Sequence, residues 1–238
     1  MRRWYNKLFL NDIRKAVEKY ELIKDGDNIL LGLSGGKDSI FLLYALKLLR
    51  DNSYLNFDIT GIHIDIGIGI DMSSIKNYLD GINIPYMYKN INIKDQIFKE
   101  KNPCYMCSNI KRGAMARIAK EMGYNKIAYG HHKTDVINTF LLNIIYTGQL
   151  YTFKPNIYNK KHNLHLIRPL VYIEEEIIKR IVQDENLPLG LGKLCPQDNK
   201  NKRKEISLLI DEIKYKFPDF EDKTIKAIEN SNYENLWG

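Results

Sequence analysis

The sequence predicts an α/β protein, a parallel sheet with helices on both faces, followed by a helical C-terminal tail. Short apolar runs bounded by turn residues alternate along the chain with longer segments whose apolar residues recur every three to four positions. The first such run ends in a glycine turn that leads straight into a helical pattern, the opening of a strand–turn–helix unit. The 238 residues are 44% hydrophobic and 27% charged, which fits one ample globular domain and excludes disordered, collagenous and disulfide-stapled chains.

Leu10, Ile13, Ala16, Val17 and Tyr20 give a leading helix over 10–21, so the chain divides into a helical lead-in, 1–24, and a main domain, 25–238. Residues 28–33 form the first buried strand, and Ser34-Gly35-Gly36-Lys37-Asp38-Ser39 turns it into a helix over 40–49. Further strands are expected at 57–64, 84–88, 126–129 and 164–170. Helices are expected at 73–79, along Ile110, Ala114, Ile118, Ala119 and Met122, and at 134–146. The tail from Glu174 is mostly helical, broken by a loop over 186–201. The uncharged stretch 136–153 contains Asn138, Thr139, Asn143 and Gln149, too polar for hydrocarbon, and its apolar residues keep helical spacing. The N-terminus is charged throughout, without the apolar core of a secretory signal, so the protein is expected in the cytoplasm with no membrane partner.

Net charge is +7, which admits an anionic partner. The excess is concentrated: residues 101–173 carry 11 basic and 2 acidic side chains. Lys111, Arg112, Arg117, Lys120, Lys133, Lys154, Lys160, Lys161 and Arg168 lie there, interleaved with Tyr146, Tyr151 and Phe153, which could stack on an exposed base.

The turn 34–39 carries the strongest chemical signal. Glycines after a buried strand let backbone N–H groups approach an oxyanion, and the following helix N-terminus adds its dipole, so the turn is expected to cradle phosphate. It is not a Walker A loop, because position 31 is Leu and Lys37 is followed by Asp38. Gly130-His131-His132 closes a strand where parallel strand ends line a ligand crevice, with Asp135 at the start of the next helix. His63 and Asp65 end the second strand. Three cysteines cannot pair completely, and Cys104-x-x-Cys107 at a helix start favours metal or redox chemistry. A dithiol pair, a zinc site completed by histidine and an iron–sulfur site are the alternatives.

The turn resembles the PP-loop of the N-type ATP pyrophosphatases, which cleave ATP between its α and β phosphates. The chain as a whole is similar to the TtcA/TtuA group of tRNA thiolation enzymes. The likeness rests on the PP-loop, His63-Ile-Asp65, Cys104-Tyr-Met-Cys107 with Lys111-Arg112, Gly130-His131-His132-x-x-Asp135, Ile167-Arg168-Pro169-Leu170 and Leu194-Cys195, in that order. It implies a Rossmann-like, adenine nucleotide alpha-hydrolase-like fold and an ATP-dependent tRNA sulfurtransferase. Such an enzyme adenylates a pyrimidine carbonyl and replaces its oxygen by sulfur, here as 2-thiocytidine formation. It further implies ATP and Mg²⁺ at Ser34, Gly35, Gly36, Lys37, Asp38, Ser39, His63, Asp65, Gly130 and His131, and catalytic roles for Asp135, Lys111 and Lys37. A [4Fe–4S] cluster with one open iron would be held by Cys104, Cys107 and Cys195. Expected partners are tRNA, ATP and a sulfide or persulfide donor, with room for a homodimer.

Two departures from the family pattern bear on the substrate. Thr134-Asp135 stands where family members usually carry two aspartates. The chain lacks the flanking cysteine pairs of the TtuA type, while residues 62–69 are closer to that type. The alternatives are a PP-loop enzyme acting on a small thiolated metabolite or free nucleobase, an amide-forming ATP pyrophosphatase without a cluster, and a non-catalytic nucleotide- or RNA-binding module.

Overall fold

A computed structural model of the protein describes residues 4–97, 103–192 and 202–231. A π-type turn, Asn6–Leu10, runs directly into α1 (Asn11–Lys19). β1 (Asn28–Gly32) leads to α2 (Lys37–Asp51), β2 (Asp58–Asp65) to α3 (Ser73–Gly81), and β3 (Tyr86–Asn90) to the short α4 (Lys94–Ile97). Then follow α5 (Pro103–Glu121), β4 (Lys126–Ala128), α6 (Lys133–Thr147), β5 (Asn156–Asn159), β6 (Leu164–Ile167), α7 (Glu175–Asp184), α8 (Lys202–Lys216) and α9 (Phe220–Glu229).

The strands form one sheet in the order β3-β2-β1-β4-β6-β5, parallel throughout except for β5, which pairs antiparallel with β6 at the edge. From β1 the chain steps outward to β2 and β3, and from β4 it steps the other way, so the order reverses between β1 and β4. In open α/β sheets that reversal opens a crevice at the carboxyl ends of the strands, where ligands bind.

Both faces of the sheet are covered, which is why its strands read as unbroken apolar runs. Leu30, Ile62, Ile64, Ile127 and Leu164 pack under Ala114, Met115 and Ala119 of α5. On the other face Ile29, Leu31 and Leu33 join a larger core with Ile40 and Leu43 of α2, Ile178 and Ile181 of α7, and Phe9 and Ile13 of the lead-in. Each fully buried Leu, Ile or Phe stabilises the fold by about 1.5–3 kcal/mol relative to exposure. The lead-in therefore shares the core of the sheet domain.

The helical tail is fastened by polar clamps. Lys133, at the start of α6, is buried and pairs with Glu174 at 3.0 Å and Asp222 of α9 at 2.6 Å. Glu229, at the end of α9, receives Lys19 at 2.8 Å, Tyr20 at 2.6 Å and Tyr172. Lys126 is buried as well, donating to the Leu22 carbonyl at 2.7 Å and pairing with Asp27 at 2.9 Å.

These positions correct part of the expected basic surface. Lys133 is a structural cation inside the fold, and Arg168 is 5% exposed. Arg112, Arg117, Lys120, Lys154, Lys160 and Lys161 are exposed, as the expectation required. Among the described residues no helix is long and apolar enough to cross a membrane.

Candidate active site

The turn after β1 is built by two glycines and two hydroxyls. Gly35 sits at φ +88°, a conformation side chains rarely adopt, and a β-carbon there would meet Ile70 at 3.2 Å. Gly36, extended, caps α2, whose first N–H groups have no partner within the helix. The Ser39 hydroxyl donates to the Gly36 carbonyl at 2.9 Å and accepts from the Ser34 N–H at 3.2 Å, while the Ser34 hydroxyl accepts from the Gly36 N–H at 3.2 Å. The serines lock the loop, and the helix N-terminus faces the crevice as an anion cradle.

Lys37 opens α2 and pairs with Asp38 at 3.0 Å and with Glu175 of α7 at 3.0 Å. Burial alone would lower its pKa, but the two carboxylates outweigh it and the pKa rises, so Lys37 stays a cation. Glu175 also pairs with Lys179 at 3.2 Å, and despite its burial the two lysines hold its carboxyl below the usual carboxylate range.

The second wall of the crevice comes from the end of β4. Gly130 is required by close approach, because a β-carbon there would stand 2.8 Å from the Asp38 carbonyl oxygen. His132 caps α6, its N–H donating to the Asp135 carboxylate at 3.1 Å. Its ring Nε2 lies 3.5 Å from Asp135 and 3.7 Å from Asp38. Lys37, Asp38, His132 and Asp135 thus line one cavity of about 320 Å³, closed opposite by Glu175 and Lys179 of α7 and Arg203 and Lys214 of α8. Among the described residues no three His, Cys, Asp or Glu side chains are grouped to hold a metal alone. The donor set instead suits a magnesium ion carried in by a nucleotide, with Asp38 and Asp135 supplying carboxylates and the phosphates the rest.

The remaining expected residues divide around this cavity. His131 does not line it and packs on Tyr129 and Phe153 (centroids 5.9 and 5.0 Å). Burial and the nearby Arg168 press its pKa down to about 4. His63 is buried, its Nδ1 2.8 Å from the Leu33 carbonyl oxygen, and burial together with Lys111 lowers its pKa. Asp65 shapes the loop after β2: its carboxylate accepts from the N–H groups of Gly67 at 2.8 Å and Ile68 at 3.1 Å and from the Tyr88 hydroxyl at 2.9 Å. These donors outweigh its burial and lower its pKa.

Helix α5 begins at Pro103, a residue suited to a first helical position, so Cys104 and Cys107 fall within its first turns rather than ahead of it. Cys107 is half-buried, and Lys111 follows it four residues on, on the same helix face. Cys195 lies outside the described residues. Three cysteines in the whole chain, two of them one turn apart at a helix N-terminus that favours thiolates, suit an iron–sulfur cluster with one iron left open better than a closed four-ligand zinc site.

One contact had no forerunner in the sequence reading. The Gly190 N–H donates to the Gly35 carbonyl at 2.9 Å, and Asp71 and Leu191 exchange backbone hydrogen bonds at 2.7 and 2.9 Å. A β-carbon at Gly190 would meet Ile70 at 2.8 Å and the Gly35 α-carbon at 3.1 Å. The glycines of Leu189-Gly190-Leu191-Gly192 were its only sequence signal.

A PP-loop domain family model matches residues 6–190. The tRNA-cytidine(32) 2-sulfurtransferase of Paraburkholderia phymatum is 33% identical over 233 residues, covering 94% of this chain and 69% of that protein. The protein of the same name from Coxiella burnetii is 32% identical over 229 residues, covering 94% of this chain and 90% of that protein. Among solved structures, the U34-tRNA thiolase NcsA from Methanococcus maripaludis with its [4Fe–4S] cluster superposes with a TM-score of 0.73 at 22% identity, over 92% of this chain and 76% of that one. The NH3-dependent NAD synthetase of Campylobacter jejuni shares the fold at a TM-score of 0.53 and 14% identity, over 96% of this chain and 88% of that one. The chain belongs to the PP-loop domain family and, within it, to the family of the tRNA-cytidine(32) 2-sulfurtransferases.

Proposed function

We propose that the protein is a cytoplasmic, ATP-dependent tRNA sulfurtransferase that converts a cytidine of tRNA to 2-thiocytidine. The observation that carries this reading is the phosphate cradle with Lys37 at the strand-order reversal between β1 and β4, in a chain whose α5, packed on the same sheet, bears Cys107 and Lys111. The relatives' shared name supplies the substrate class.

Loop 34–39 and the start of α2 hold the phosphates of ATP, and Lys37 exchanges its pairing with Glu175 for them. Asp38 and Asp135 hold magnesium against the phosphates. The cytidine 2-carbonyl oxygen attacks the α-phosphorus, the bond to the β-phosphate oxygen breaks, and pyrophosphate leaves. Cys104, Cys107 and Cys195 would hold a [4Fe–4S] cluster, which would offer an open iron to sulfide; a persulfide donor would also need a two-electron reductant such as a dithiol. Sulfide adds to C2 and the bond from C2 to the adenylated oxygen breaks, expelling AMP, with Lys111 countering the negative charge that the addition places on the ring nitrogen and sulfur. The exposed cations of α5, with Lys154, Lys160 and Lys161, meet the tRNA backbone.

Nucleoside mass spectrometry of tRNA from cells lacking the gene tests the reading. It predicts the disappearance of 2-thiocytidine, and a full complement of thiolated nucleosides would sink it. Anaerobically purified protein should hold iron and labile sulfide, and Cys195→Ser should abolish cluster absorbance as fully as Cys104→Ser.

A further inference from the structure

Three buried polar atoms at the open ends of β4 and β6 have no hydrogen-bond partner among the described residues: the Tyr129 hydroxyl, Nδ1 of His131 and Nε of Arg168. A buried group left unpaired costs about 1–3 kcal/mol, and native proteins tolerate few. These three are neighbours. The His131 ring lies between Tyr129 and Phe153, and the Arg168 guanidinium lies 4.9 Å from the Phe153 centroid. Nη1 of Arg168 donates to the Lys154 carbonyl at 2.6 Å, which fixes the side chain and leaves Nε uncommitted. Among the described residues no carboxylate pairs with this cation, although it is 5% exposed. A buried, unpaired cation is costly unless an acceptor arrives from outside.

The cluster borders α5. Tyr129 packs against the core under α5, and the His131 ring, just past the end of β4, lies against it at 5.9 Å between centroids. His132 instead points toward Asp38 and Asp135. Arg112 of α5, next to Lys111, is close enough to act on both Tyr129 and Arg168.

We propose that Tyr129, His131 and Arg168 form the recognition pocket for the base that is thiolated, an unstacked pyrimidine of tRNA, with Phe153 as its apolar wall; the inference rests on the sulfurtransferase reading above. The cytosine edge presents its 2-carbonyl and N3 as acceptors beside the exocyclic amino donor, whereas N3 of uracil is a donor. Arg168 Nε offers a cationic donor. The phenol and the neutral imidazole can each donate or accept, so the set can satisfy such an edge. A phosphate would call for several exposed cations rather than one buried Nε. Sequence-specific RNA recognition uses this kind of site, in which a splayed base is read on its edge against an aromatic or guanidinium surface.

The test uses cluster-loaded enzyme and two tRNA transcripts, with cytidine or uridine at position 32. Tyr129→Phe removes only a hydroxyl without a partner in the protein, so folding is preserved. It should lower kcat/KM for the cytidine tRNA about tenfold and shrink the preference over uridine, with KM for ATP and Tm unchanged. Arg168→Lys should lower kcat/KM further. A rise in KM for ATP instead would place the adenosine in this pocket and overturn the inference. So would unchanged tRNA kinetics in Tyr129→Phe, which would mean that the hydroxyl meets a buried water. Wild-type enzyme that thiolates neither tRNA overturns the sulfurtransferase reading and this inference with it; wild-type turnover with unaltered variants overturns the inference alone.

Discussion

Gly130 leaves room for the main chain of Asp38: a β-carbon at Gly130 would lie 2.8 Å from the Asp38 carbonyl oxygen and 3.2 Å from the Ser39 nitrogen. The start of α2 and the end of β4 are therefore held as close as two backbones can come. Gly130→Ala should push the first turn of α2 out of place, lowering pyrophosphate release from ATP at least about tenfold and costing about 1–3 kcal/mol of stability. A variant with unchanged KM for ATP and unchanged Tm would show that the contact relaxes freely.

Glu175 pairs with the lysine that, in the proposed enzyme, would meet the phosphates of ATP. Its carboxylate contacts the ammonium groups of Lys37 and Lys179 at 3.0 and 3.2 Å. Glu175→Gln should tighten pyrophosphate binding about threefold, the scale of a partly exposed ion pair, as read by titration calorimetry. Lys37→Ala should abolish pyrophosphate release while tRNA affinity persists. Weaker pyrophosphate binding in Glu175→Gln would mean that the carboxylate positions Lys37 rather than competing for it.

Lys133 and Arg117 separate the structural from the RNA-facing part of the basic block. Lys133→Met strips the clamp from Glu174 and Asp222, both open enough to be solvated, so the cost should be about 1–2 kcal/mol with no change in tRNA affinity. Arg117→Ala, on exposed α5, should instead leave Tm unchanged and reduce the slope of log affinity against log salt by about one. Filter binding across a salt series with thermal melts reads both.

Acid should loosen the fold in two windows. The folded pKa of His131 is depressed to about 4 from an ordinary 6.5, so the unfolded chain binds the proton first and stability falls as pH drops from 6.5 toward 4. Glu229 is buried at a cost, but Lys19, Tyr172 and Tyr20 hold its carboxyl down at about 2 from an ordinary 4.5, so its contribution is lost as pH falls from 4.5 toward 2. Denaturant titrations at pH 7, 5 and 3.5 should show His131→Gln flattening the first decline and Glu229→Gln the second. Parallel curves for wild type and variants would remove both assignments.

Strands with both faces buried were legible because a buried strand is an apolar run, and the PP-loop was legible because its glycines and its place between strand and helix are local. β5 was not foreseen: its residues, Asn156–Asn159, are mostly polar, and it is a short antiparallel edge with one neighbour. Predicted strand 164–170 stops at Ile167, where Arg168 turns inward ahead of Pro169. The burial of Lys133, Lys126 and Arg168 was invisible because it depends on carboxylates and carbonyls far away in the chain. The division of the two adjacent histidines was invisible because it depends on distant partners: His132 caps α6 beside Asp38 and Asp135, while His131 packs on Tyr129 and Phe153.

The hydrogen bond from Gly190 to Gly35 ties the ATP loop to the segment that leads, five residues later, to Cys195. In the proposed enzyme Cys195 would help seat the metal group, and reciprocity would then link the two sites: whatever factor nucleotide adds to the retention of the metal group, the metal group must add to the affinity for nucleotide. The enzyme could then sense an empty sulfur site as poorer grip on ATP and avoid spending nucleotide on a base it cannot thiolate. ATP affinity measured with and without the cluster checks this, and equal values would mean that the strut transmits nothing.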